Sequence, residues 1–176
     1  MKTLEDQMAF YAAYHQDARN KATHFIGVPV IVLSLFIPLS WLRIDVGSVP
    51  ITAAMVFAGA VLIYYFVLDF ALGAAMLVLN AALLWAAQAI AGLGTLQGWI
   101  GFGVLFVGGW ILQLVGHMFE GRKPALADNL FQIFVAPIFL CAEVFFALGY
   151  KPKLHAAVQA RAREMRVAAD ANLTAA

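Results

Sequence analysis

Polar and apolar positions fall along this 176-residue chain in long blocks, not in the short alternations of a water-soluble domain. Leu4, Met8, Tyr11 and His15 recur at i, i+4, i+7 and i+11, which predicts a short amphipathic helix over 3–15, with Thr3 and Asp6 as a capping-box pair at its start. Residues 25–42 are uncharged and contain Pro29 and Pro38, enough for one kinked or short span. Arg43, Asp45 and Pro50 then mark a loop. A second span is expected over 51–68, ending at Asp69, with Gly73 as the turn before a third over about 74–91, which Gly92 and Gly94 close. A fourth runs from about Leu96 to Phe119. The fifth apolar stretch, Leu130 to Tyr150, is interrupted by Pro137 and carries Glu143, and 151–176 reads as a basic, Ala-rich helix.

Composition turns these blocks into membrane spans. The chain is 64% hydrophobic and 12% charged, with a mean hydropathy of +0.86, where soluble domains run near 45–50% apolar and about 25% charged. A soluble enzyme is excluded. Residues 46–119 hold one formally charged side chain, Asp69. A hydrocarbon core of about 30 Å takes roughly 20 residues per helix, so there is room for four or five spans and no separate soluble domain. The expected fold is an all-α polytopic membrane helix bundle: four full spans plus a re-entrant or fifth span, an amphipathic N-terminal helix and a basic C-terminal helix. Residues 1–150 form one membrane-embedded domain and 151–176 a tail. The lone Cys141 excludes an internal disulfide, six charges within residues 1–24 argue against a cleavable signal peptide, and a net charge of +1 gives no reason to expect nucleic acid.

Lys and Arg gather before the first span (Arg19, Lys21), after the fourth (Arg122, Lys123) and in the tail, and four crossings put the first two groups on one, cytoplasmic, face. If the fifth stretch dips in and returns at Pro137, the tail joins them; five straight spans remain the alternative. Either way His15 and His24 emerge on the same face as His117 and Glu120. His117 and Glu120 stand at i, i+3, and Gln113 is one turn earlier. Helical bundles present metal ligands at that spacing, and imidazole with carboxylate suits iron, manganese or zinc; a helix simply leaving the membrane gives the same pattern. His15 and His24 are about half a turn out of phase on one straight helix, so sharing a metal needs a break, expected near Asn20.

Asp69 is a candidate intramembrane functional group, with Tyr64 and Tyr65 one turn before it. Asn80, Gln88 and Gln113 read as interhelical hydrogen-bonders and the glycines of 98-GWIGFGVLFVGG-109 as close helix packing. His155 is given no role. HExxH, GxSxG and P-loop motifs are absent, and four histidines are too few for the eight-histidine boxes of diiron membrane desaturases.

Two stretches, 14-YHQDARNKATHFIGVP-29 and 110-WILQLVGHMFEGRKPALADNLFQIFVAPIFLCAEV-144, resemble the small multi-pass family of 2-hydroxy fatty acid dioxygenases of phytosphingosine breakdown. The matching pieces are His15, Asn20-Lys21, His-x-x-Gly-x-Pro at 24–29, Gly116-His117, Glu120, Pro124-Ala125 and the run from Asn129 to Pro137. The resemblance implies Fe(2+)-dependent α-oxidation of a membrane-derived 2-hydroxy fatty acid by O2, with a product one carbon shorter. It also implies that His15, His24 and His117 hold the iron. Glu120 is then a fourth ligand or an acceptor for an imidazole N–H, and the catalytic candidates are Glu120, Lys21 and Asn20. Arg122, Lys123, Gln113 and Asp69 are the substrate-binding candidates, the cations through attraction for the carboxylate. The reading allows a homodimer, and favours a bacterial inner membrane over the endoplasmic reticulum. A transporter or proton relay built on Asp69 and the histidines, and a non-enzymatic membrane scaffold, are the competing readings.

Overall fold

The computed structural model describes residues 3–121 and 130–174. In chain order its elements are α1 (Leu4–Ala13), α2 (Ala18–Leu39), β1 (Arg43–Val46), β2 (Val49–Thr52), α3 (Ala53–Leu68), α4 (Phe70–Gly92), α5 (Thr95–Glu120), α6 (Gln132–Ala147) and α7 (Pro152–Thr174). By its internal contacts the chain divides into two compact units, 23–113 and 1–22 with 114–176, and the divisions fall inside α2 and α5, each an unbroken helix.

The unit of 23–113 is all-α apart from a two-stranded hairpin. Three helices are long and apolar enough to cross a membrane: α2 (22 residues), α4 (23) and α5 (26). Both prolines of α2 sit inside one continuous helix. The expected second span is shorter than its hydrophobic run, because Ile51 and Thr52 belong to β2, which pairs antiparallel with β1 where the sequence suggested a loop. The remaining 16 residues of α3 reach about 24 Å, which a bilayer accommodates by local thinning. The core joins Phe36 and Ile37 of α2 to Ala54, Ala58 and Ala87, whose small side chains let the helices approach. Large apolar side chains such as Ile63, Phe70, Val78 and Trp85 stay uncovered by protein, as lipid-facing positions do.

The turn between α3 and α4 is at Asp69, not at Gly73. Asp69 ends α3, and its Oδ1 accepts the Leu72 N–H at 3.0 Å to begin α4. Gly73 lies within α4, where a Cβ would stand 2.8 Å from Phe66 Cδ1. Of the 98–109 glycines, Gly98, Gly101 and Gly109 face close neighbours and Gly103 and Gly108 face none. Asn80 bonds within its own helix, to Met76 O, in place of the expected interhelical bond.

The unit formed by the chain ends contains α1, α6 and α7 with the adjoining ends of α2 and α5. Thr3 and Asp6 form the expected capping box. Most of the fifth apolar stretch is one continuous helix with Pro137 inside it, not a re-entrant hairpin. Val135, Ile138, Phe139 and Ala142 are buried, and α1, which packs against α6, packs also against α7. Its buried face accounts for part of its apolar character, while Val144 on the same helix is exposed. Helix α7 starts with Pro152 in its first turn, and buries Val158 and Ala162.

Candidate metal centre

Three histidines converge. His15, His24 and His117 are 1%, 2% and 7% exposed, and each offers a ring nitrogen within 4.8 Å of the other two. A point within about 2.8 Å of all three exists for any triangle with such sides, so sub-ångström adjustment brings imidazole–metal bonds of about 2.1 Å into reach. The donor set suits a transition-metal ion: three neutral-type nitrogen ligands in a dry setting.

Each histidine has a local reason for its place. α1 ends at Ala13, and the chain turns through 14–17 before α2 begins at Ala18. The break that lets His15 and His24 share a site therefore precedes Asn20. Asp17, not Asn20, supports the new helix, its Oδ1 accepting the Arg19 N–H at 2.8 Å. His15 stacks on Tyr11 with ring centroids 3.9 Å apart and planes 2° from parallel, and its Nδ1 lies 2.7 Å from Tyr11 O. A carbonyl oxygen only accepts, so Nδ1 carries the proton and Nε2 keeps the lone pair a ligand needs. Burial pushes the Tyr11 phenol above its usual pKa, and it stays neutral. His24 follows on the second turn of α2, and His117, near the end of α5, meets His15 edge-on at 4.9 Å.

Glu120 is not in the cluster of potential ligand atoms. Its Oε2 accepts from Gln16 N (3.0 Å), Asp17 N (2.8 Å) and Asn20 Nδ2 (3.1 Å), and its Oε1 pairs with Arg166 of α7. Asn20, fully buried, also donates to Tyr14 O. The structure thus uses both residues to fasten the 14–20 turn. Lys21 Nζ pairs with Glu143 Oε2 at 2.8 Å. The Arg19 guanidinium holds the partly exposed Asp17 carboxyl down at about 2 and lies over the Phe119 ring at 4.6 Å. Gln113 lies over Gly27, so close that a Cβ there would be 2.3 Å from its Nε2. Asp69 is a helix cap. Arg122 and Lys123, with Pro124, Ala125 and Asn129 of the resemblance, lie outside the described residues.

Two residues escaped the sequence. Arg166 sat in a basic tail that the positive-inside rule already explained. Gln132, on the first turn of α6, is 1% exposed, and neither atom of its amide has a hydrogen-bond partner among the described residues. A glutamine opening an apolar stretch was the available signal.

The fold and this cluster define a membrane helix bundle with a buried three-histidine site able to hold a metal. The chain belongs to the family described as 2-hydroxy-palmitic acid dioxygenase Mpo1-like, whose profile matches residues 1–148. It is 36% identical over 160 residues to the 2-hydroxy-palmitic acid dioxygenase MPO1 of Saccharomyces cerevisiae, a match covering 89% of this chain and 87% of the yeast protein. No solved structure matches the chain.

Proposed function

We propose that this protein is an Fe(II)-dependent dioxygenase that converts 2-hydroxy fatty acids to fatty acids one carbon shorter at the cytoplasmic face of its membrane. The buried group of three imidazoles carries the reading, in a chain whose yeast relative is named for 2-hydroxy-palmitic acid. The reaction balances without an external reductant: a 2-hydroxy acid and O2 give the shortened acid, CO2 and water, a four-electron oxidation against a four-electron reduction. Bound iron supplies the activation of O2 that no side chain here can provide.

The chain's own residues do the rest. His15, His24 and His117 hold the metal, and the Tyr11 carbonyl fixes the His15 tautomer. Phe139, whose ring lies 6.2 Å from that of His15, keeps water from this side. Gln132 stands two turns from Phe139 on the same face of α6, and its unengaged amide suits the 2-hydroxyl or carboxylate of the substrate. The acyl chain stays with the bilayer, since each CH2 withdrawn into water costs about 0.8 kcal/mol.

The test is His117→Ala in purified full-length protein. It is expected to abolish both iron retention, measured by elemental analysis, and chain shortening, measured by product chromatography. Wild-type iron content and turnover in this variant overturn the assignment.

A further inference from the structure

We propose that the C-terminal helix α7 is a working part of the metal centre, with Arg166 as the positioning residue that holds Glu120 and, through it, the turn that carries His15. The inference rests on the three-histidine reading above. The Glu120 side chain is 1% exposed and that of Arg166 29%. A carboxylate so deeply buried needs a counter-charge, and Arg166 provides it across 46 residues of sequence.

Glu120 joins both ligand-bearing segments of its unit. It stands one turn after His117 on α5, and its Oε2 takes the backbone N–H groups of Gln16 and Asp17 together with the Asn20 amide. His15 immediately precedes those two amides, in a stretch that belongs to no helix. Position and tilt of the His15 ring therefore follow the Glu120 carboxylate. The carboxylate in turn is oriented from its other oxygen by Arg166.

Helix α7 has independent reasons to be in place. Val158 and Ala162 are buried, Arg161 pairs with Asp6 of α1 at 2.7 Å, and His155 stacks on Phe146 of α6 at 4.5 Å. Losing the Arg166 guanidinium thus removes one charge-assisted contact without undocking the helix. The family profile ends at residue 148, before α7 begins, so this support lies outside the residues that the profile matches.

The experiment uses full-length protein and Co(II) as the probe, reading its dissociation constant by chelator competition and its visible ligand-field spectrum, with a melting temperature for each variant. Arg166→Met is expected to weaken Co(II) binding by about 10–100-fold, the range for residues that orient a ligand, and to alter the spectrum. Arg166→Lys recovers most of the affinity. In a Glu120→Gln background, where no buried charge needs a partner, adding Arg166→Met changes affinity by no more than about twofold. Wild-type Co(II) affinity and spectrum in Arg166→Met, with only a lowered melting temperature, overturn the proposal. If Arg166→Met does not fold, Arg166→Gln, polar but uncharged, takes its place: affinity about tenfold below wild type supports the proposal, and wild-type affinity overturns it. His117→Ala separates the two ideas. Retained Co(II) affinity there sinks the three-histidine reading itself, whereas loss there beside an unaffected Arg166→Met sinks only the role of α7.

Discussion

Gly108 and Gly109 are neighbours on α5, and the same substitution is expected to act on them with different outcomes. A Cβ at Gly108 meets nothing within 4 Å. At Gly109 it would stand 2.6 Å from Ile31 Cγ1, 3.2 Å from Gly27 O and 3.3 Å from Ile31 N. The isoleucine methylene can swing aside, but the other two atoms are α2 backbone, so the helices themselves must part. Both alanines gain the same helix propensity, about 0.8–1 kcal/mol over glycine. Only the Gly109 variant carries an overpacking penalty, about 1–3 kcal/mol. The difference between the two isolates the crossing and, at about 2–4 °C per kcal/mol for a chain of this size, corresponds to roughly 2–12 °C in Tm. Thermal unfolding in one detergent, variants side by side, is the assay. Gly27 lies three residues after His24 on α2, so Gly109→Ala is also expected to lower metal affinity while Gly108→Ala leaves it intact. Equal Tm shifts in the two variants refute the reasoning.

Two further outcomes follow from polar residues in the apolar chain. Asp69→Asn keeps a side chain that caps as well as aspartate, so turnover and Tm are expected to stay at wild-type values; a large loss of activity, read in the chain-shortening assay, favours a relay built on Asp69. Lys21→Met strands Glu143, whose side chain is 14% exposed, and is expected to lower stability by about 2–3 kcal/mol, somewhat less than for a fully buried pair. Lys21→Met/Glu143→Met recovers most of that loss, and a single variant as stable as wild type, by the same unfolding assay, contradicts the pairing.

What the sequence made legible was local or periodic. The Thr3–Asp6 capping box and the long apolar runs could be read from spacing alone. The expectation that the His15 and His117 regions come together is met, since the start of α2 and the end of α5 meet through Asn20 and Glu120, while only three of the four expected spans are long enough to cross a membrane. Of the two readings of the fifth apolar stretch, the continuous α6 removes the re-entrant hairpin, because a proline in an apolar run can sit inside a helix as well as break one. The sequence placed a turn at Gly73 because glycine can break a helix or admit a neighbour, and here it admits Phe66. Asn20 and Asp17 compete as helix starters over three residues, and only the fold shows Asn20 engaged elsewhere. Gathering the three histidines drew on family resemblance as well as topology. Nothing in local sequence links Arg166 to Glu120.

The unit that carries His15 and His117 is assembled from the two ends of the chain. Asn20 and Glu120, which meet in it, are 100 positions apart, and Arg166 is made later still. During synthesis His15 therefore leaves the ribosome long before the partners that orient it. Joining positions so far apart costs a loop-closure entropy that grows only slowly with the length of chain between them. A chain halted after α4 therefore lacks His117, Glu120 and Arg166, and cannot bring the three histidines together.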